Sequence, residues 1–136
     1  MSVLLVAADQ LTKCLVAASF LPGESLWIIR PLLHLTYVQN TGAAFGLFKG
    51  QQTLFILTSL FVMACIVREF LIRRIAALRV VWGCALIFGG AAGNVIDRVR
   101  LGYVVDFIGV GLWPVFNVAD SAITIGVGLL LWHSLR

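Results

Sequence analysis

Long apolar stretches broken by a few isolated polar groups set the pattern of this chain. A helix needs roughly 20 mostly apolar residues to cross a bilayer. Four segments approach that length. The first runs from about Ser2 to Leu21, interrupted by Asp9, Gln10, Thr12 and Lys13. Gln52 to about Leu71 is the second, and Val80 to Ile96, rich in Gly and Ala, is the third. The fourth runs from about Phe116 to Leu135. The links differ in kind. Residues 22–51 contain Pro22, Gly23, Pro31, Gly42, Gly46 and Gly50, and residues 97–115 contain Gly102, Gly109, Gly111 and Pro114. Within the first of these, Leu33 to Asn40 alternates with the period of two that a strand shows. The link between the second and third segments is short and arginine-rich.

Composition sharpens this reading. The 136 residues are 61% hydrophobic and 12% charged, and the mean hydropathy is +1.04. Soluble domains are nearer half apolar and a quarter charged, and a fold this small cannot hide so much apolar surface. A soluble enzyme, a DNA-binding module and a disordered chain are all excluded. An all-α integral membrane protein is predicted: a four-transmembrane-helix bundle with a small strand-containing extracytoplasmic cradle, forming one domain over residues 1–136. The N-terminus lacks the basic region and small-residue cleavage site of a removable signal. Cys14, Cys65 and Cys84 have neither zinc-ligand spacing nor a disulfide framework, and are expected as small buried hydrophobes.

The net charge of +4 fits basic residues gathered on the cytoplasmic side. Arg68, Arg73, Arg74 and Arg79 crowd the short link, whereas Arg30, Lys49, Arg98 and Arg100 are spread over the two long ones. Both termini are therefore placed inside and both long links outside.

Ionisable groups inside a membrane are costly and mark candidate sites. Glu69 lies among arginines at a cytoplasmic end, and Glu24 lies in a Pro-Gly-Glu turn, so both are expected to be solvated. Asp9 and Lys13 stand four apart, on one helix face, where each makes the other tolerable. Asn94, Asp97 and Arg98 also share a face, either as a helix end closed by its own salt bridge or as a polar wall beside a site. Gly89, Gly90 and Gly93 just before them allow close packing of a helix, including that of a substrate. Asn117 and Asp120 suit an N-cap and the third residue of the last helix.

Asp106 precedes Asp120 by fourteen residues, in the apolar run Tyr103-Val104-Val105-Asp106-Phe107. A continuous helix would hold the two acids roughly 20 Å apart. Gly109, Gly111 and Pro114 argue against such a helix, so the chain can double back and bring them together. Two adjacent carboxylates cannot both ionise easily, and the pair keeps one proton near neutral pH. One member then takes a proton from water while the other donates to a carbonyl oxygen. Other catalytic sets are missing: there is no His-Glu-x-x-His, His34 and His133 stand apart, and no base neighbours Ser121 or Thr124.

Five short motifs occur in order: Asp9-Gln10-Leu11-Thr12-Lys13, Asn40-Thr41-Gly42-Ala43-Ala44-Phe45, Gly93-Asn94-Val95-Ile96-Asp97-Arg98, Val105-Asp106-Phe107 and Phe116-Asn117-Val118-Ala119-Asp120. Together, over essentially the whole chain, they resemble the bacterial lipoprotein signal peptidases (type II signal peptidases). The resemblance implies an aspartyl endopeptidase of the bacterial inner membrane. Such an enzyme removes signal peptides from prolipoproteins, cutting just before a cysteine that carries diacylglycerol. It implies Asp106 and Asp120 as the catalytic pair, with Asn94, Arg98 and Asn117 around them. Asn40 and Gly42 would belong to the cradle over the site, and Asp9 and Lys13 to structure or substrate handling. It implies no metal or organic cofactor. The expected partners are diacylglyceryl-prolipoproteins and membrane lipids, without nucleic acid, for a protein acting as a monomer. Only Met1 to Ala8 precede Asp9, fewer than family members often have, so a short first helix or an internal recorded start is expected.

Two readings from other classes compete. A small four-helix proton-coupled transporter or channel would also carry intramembrane acids, but it leaves the two long outer links unexplained. A non-catalytic membrane scaffold makes no use of the acids.

Overall fold

The computed structural model describes residues 1–42, 48, 50–72 and 77–135. Ala43 to Phe45 of the second motif, Lys49, Arg73 and Arg74 lie outside the described residues. The described chain contains helices α1 (Ser2–Ser19), α2 (Gln52–Ile72), α3 (Leu78–Leu101) and α4 (Val118–Ser134), with strands β1 (Ser25–Ile29), β2 (Leu33–Asn40) and β3 (Val104–Val110). Three of the helices, α1 to α3, are long and apolar enough to cross a membrane. The apolar α4 has 17 residues, about 25 Å of helix.

The helices wear their apolar residues outward. In α1 the buried positions are Asp9, Lys13 and Val16, one narrow stripe, while Val3, Leu4, Leu11 and Leu15 are exposed. In α2 no described residue is buried. This inverts the pattern of a soluble helix and is what lipid on the outside demands. Cys14 and Cys65 follow it: both are exposed, contrary to the expectation that all three cysteines are buried, and only Cys84 is inside.

The hub is α3, on which α1, α2 and α4 all pack, α4 most extensively. Glycines make the α3–α4 contact close. A Cβ on Gly126 would meet the Gly83 carbonyl oxygen at 2.7 Å, and one on Gly90 would meet that of Ala119 at 2.5 Å. Without a hydrophobic drive between helices in lipid, such backbone approach supplies the packing. The expectation that the three glycines of α3 receive a substrate helix is overturned, because the protein's own helices cover them. Gly89 faces Ser2 and Leu5, Gly90 faces Ala119 and Ile123, and Gly93 faces Asp9 and Ala119.

Helix α3 runs five residues past the expected end at Ile96, because its polar face is buried rather than solvated. It stops at Gly102, whose φ of 77° is the left-handed conformation that closes helices, with its N–H donated to the Arg98 carbonyl. Strand β3 starts two residues later. The three strands form an antiparallel sheet in the order β1-β2-β3. Strand β2 occupies the alternating segment seen in the sequence. Trp27 pairs with His34 and His34 with Gly109, where a side chain would collide with the imidazole. Val16, Tyr37, Val105 and Phe107 form the cluster that seats the sheet on the end of α1.

After β3 the chain reverses. Gly111 takes a φ of 53°, and Phe116 returns to bridge Ile108 with backbone hydrogen bonds of 2.8 and 3.0 Å. Asn117 then opens α4. This reversal, rather than a helix, is why residues 106 and 120 reach the same place.

Candidate active site

Asn117 is the joint of the site. It is fully buried (0% exposed) and caps α4 by accepting the Asp120 N–H at 2.9 Å. The Asp120 carboxylate returns the contact, accepting the Asn117 N–H at 3.3 Å, which completes a capping box. The helix-start reading of these residues therefore holds, and it leaves functional groups over. The Asn117 side-chain N–H donates to Asp106 Oδ1 at 2.7 Å, and the other Asp120 oxygen accepts from Asn94 Nδ2 at 2.8 Å. One asparagine thus connects both acids.

Asp106 sits on β3, opposite Val38 of β2. Its second oxygen accepts from Asn40 Nδ2 at 2.8 Å. Asn40 is itself oriented by Gly42, whose N–H donates to Asn40 Oδ1 at 2.9 Å. Asp106 is 2% exposed. Burial, and then the charge of Asp120, push its carboxyl up to about 7, against the opposing donors Asn40 and Asn117 and the Lys13 charge. It therefore titrates close to neutral pH.

Both acids line one cavity of about 670 Å³, with Asn40, Gly42, Asn94 and Arg98 on its polar side and Phe55, Trp113, Phe116 and Ile125 among its apolar walls. Arg98 lays its guanidinium over the Phe55 ring, 4.9 Å from the centroid. Its Nε is buried without a hydrogen-bond partner. The possible Asp97–Arg98 salt bridge is not among the described ion pairs. Asp97 pairs with Lys13 instead, at 2.9 Å, and Lys13 pairs with Asp9 at 2.8 Å, all three buried. Lys13 also donates to Asn94 Oδ1 at 2.9 Å. Asp9 accepts the Ala119 N–H at 3.0 Å, tying α1 to the start of α4. The candidate residues read from the sequence fall in one hydrogen-bonded set, except Arg98, which joins them only on the cavity wall; Asp9 and Lys13 lie behind Asn94 rather than on that wall.

Asp97, Phe55 and Trp113 were not among the site residues read from the sequence. Asp97 accepts the Val105 N–H at 3.1 Å and Gln10 Nε2 at 2.8 Å, so it holds the start of β3 against α3. Its position three residues after Asn94, on the same face, was the available signal. Phe55 and Trp113 carried none, being apolar residues in an apolar chain. Glu24 and Glu69 stay outside the set. Glu24 accepts the Leu21 N–H at 2.8 Å, and Glu69 pairs with exposed Arg68 at 3.2 Å. The hydroxyls of Ser121 and Thr124 donate to helix carbonyls at 3.0 and 2.9 Å. His34 packs against Trp27 within the sheet, with the rings tilted by 43° and 4.6 Å between centroids.

Residues 1–136 match the family model described as signal peptidase (SPase) II. The chain belongs to the signal peptidase II family. Among its relatives, the lipoprotein signal peptidase of Syntrophomonas wolfei is 50% identical over 129 residues, covering 94% of this chain and 85% of the relative. That of Halothermothrix orenii is 43% identical over 130 residues, covering 96% and 89%. A solved bacterial membrane enzyme superposes with a TM-score of 0.93 at 37% identity, over 98% of this chain and 84% of that one. A second gives 0.90, also at 37% identity, over 99% and 90%. The chain is thus a multi-pass membrane peptidase, and the transporter reading falls away.

Proposed function

We propose that this peptidase removes signal peptides from diacylglyceryl-modified prolipoproteins, with Asp106 and Asp120 as its catalytic pair. The observation that carries the assignment is that two carboxylates joined through one buried asparagine face the same cavity. A water between them attacks the scissile carbonyl carbon. The ionised acid takes a proton from that water, and the protonated acid donates to the carbonyl oxygen. The tetrahedral intermediate collapses as the amine of the lipidated cysteine leaves with a proton. The acid that deprotonated the water supplies that proton, and the other acid takes one back from the diol hydroxyl, so the pair ends as it began. The step uses no metal or organic cofactor. Asn40 with Gly42, Asn94 and Asn117 hold the acids, Arg98 faces the substrate in the cavity, and Asp9 and Lys13 support Asn94.

The chain acts as one domain, a monomer with four spans in the bacterial inner membrane, with membrane lipids around it and no nucleic acid partner. The sheet, the end of α3 and the start of α4 share one end of the bundle, while the end of α2 and the start of α3, with Arg68 and Arg79, lie at the other. The positive-inside rule puts that arginine-bearing end, and both termini, on the cytoplasmic side and the acids near the outer surface. The signal helix enters between α2 and α4, where no packed seam is found among the described residues and where Phe55 and Ile125 flank the cavity.

Purified protein mixed with a lipidated precursor tests this reading. Mass spectrometry should find a new N-terminus at the lipidated cysteine. An intact precursor, together with proton flux through vesicles containing the protein, would return the transporter reading.

A further inference from the structure

We infer that Lys13 is a positioning residue that sets the hydrogen-bond polarity of the acid pair through the amide of Asn94. The inference rests on the reading of Asp106 and Asp120 as the reacting groups.

An ammonium has three donors and no acceptor. Here all three are used: Asp9 Oδ2 at 2.8 Å, Asp97 Oδ2 at 2.9 Å and Asn94 Oδ1 at 2.9 Å. Lys13 is 3% exposed, so water does not compete for them. Two carboxylates on one lysine hold it in place. Asn94 must then turn its oxygen toward Lys13, which leaves its NH₂ group facing Asp120 Oδ1 at 2.8 Å. Turned over, the amide would set donor against donor at Lys13 and oxygen against oxygen at Asp120.

The other two amides are pinned in the same sense. Asn117 Oδ1 is taken by the Asp120 N–H, so its NH₂ points at Asp106 Oδ1 and at Asn94 Oδ1. Asn40 Oδ1 is taken by the Gly42 N–H, so its NH₂ points at Asp106 Oδ2. All four carboxyl oxygens of the pair therefore receive N–H donors. Among the described residues the pair's own proton meets no acceptor outside the pair, and that proton is left for the water or carbonyl in the cavity. Of the three amides, Asn94 alone owes its orientation to an ionised side chain.

The charged groups facing the pair are Asp9 and Lys13 from α1 and Asp97 and Arg98 from α3, besides the two acids themselves. Strand β2 contributes Asn40 and α2 contributes Phe55, neither of which titrates.

The test compares Lys13→Met/Asp9→Asn with Lys13→Gln/Asp9→Asn in the purified full chain, using the lipidated precursor. Each double variant keeps the formal charge of the Asp9–Lys13–Asp97 group, because one negative charge leaves with the positive one. With Met, the Asn94 amide is free to turn its oxygen to Asp120, which meets it only when protonated. The acid limb of the kcat/KM–pH profile should then move up by about one pH unit, a tenfold loss at a fixed acidic pH, with KM unchanged. With Gln, an N–H donor to Asn94 remains and the limb should return most of the way. A Met variant that loses thermal stability but keeps the wild-type limb would reduce Lys13 to a structural role and overturn the inference, as would equal shifts in the two variants. If the Met variant does not fold, Asn94→Leu decides. It removes the donor to Asp120 while leaving both Lys13 ion pairs, so an unmoved limb would again overturn the proposal. Asp106→Asn is assayed alongside: activity there would defeat the reading of the acid pair itself, whereas inactivity leaves only the role of Lys13 in question.

Discussion

Asp106→Asn and Asp120→Asn should each lower the cleavage rate at least about 10³-fold, toward the upper end of what a positioned acid or base supplies, while the protein still inserts and folds. Each amide fills the space of the acid it replaces but can neither hold nor surrender the working proton. The two acids act as a unit, so the double variant should be little worse than either single one. Glu69→Gln, at an exposed ion pair far from the cavity, should be nearly silent. Substantial activity in either single variant would refute the pair. The pH dependence has a definite sign. Burial raises Asp106 to about 7, so the form that donates to the carbonyl is present below that pH and lost above it. The alkaline limb of kcat/KM should accordingly fall as pH rises through about 7. The same shift makes Asp106 a liability to folding at high pH. Its protonated form is favoured in the fold, and that contribution is lost as pH rises from the unfolded carboxylate range through about 7.

Removal of the diacylglyceryl group from an otherwise identical precursor should reduce kcat/KM by about 10²- to 10³-fold. The apolar walls Phe55, Trp113, Phe116 and Ile125 adjoin the acids, so acyl chains held there or in the neighbouring leaflet fix the depth of the cysteine against the pair. A buried methylene is worth about 0.8 kcal/mol, so about six of them exceed the 10³-fold figure even before orientation is counted. Competition between the two precursors in one detergent mixture gives the ratio directly. Equal values would remove the lipid from recognition, and with it the entry of the signal helix between α2 and α4.

The helices were legible because lipid enforces long apolar runs, and β2 because Leu33 to Tyr37 alternates apolar with polar residues. Strands β1 and β3 were not. Leu26 to Ile29 is an apolar run without alternation, and Val104 to Val110 is buried over most of its length, so period alone does not distinguish either from helix. The meeting of Asp106 with Asp120 was readable from the glycines and proline between them, and the N-cap role of Asn117 from its place before an apolar run. What the sequence hid was partnership. Asp97 stands next to Arg98 in the chain and three residues after Asn94, and only the approach of α1 shows that Lys13 is its counter-ion. In the same way Gly89, Gly90 and Gly93 signalled a close contact without saying whose. A small-residue face is equally suited to a substrate helix and to the chain's own α1 and α4, and here the chain itself fills it.

The central claim is that two carboxylates activate water for direct attack on the scissile bond. A single turnover of lipidated precursor by excess enzyme in ¹⁸O-labelled water, followed by intact mass of every species, tests it most directly. The account predicts cleavage at the lipidated cysteine, one ¹⁸O in the new carboxylate of the released signal peptide, and no change in enzyme mass at any time point. A transient enzyme species heavier by the signal peptide would mean an acyl-enzyme formed on a nucleophile such as Ser121 or Thr124, and would contradict it.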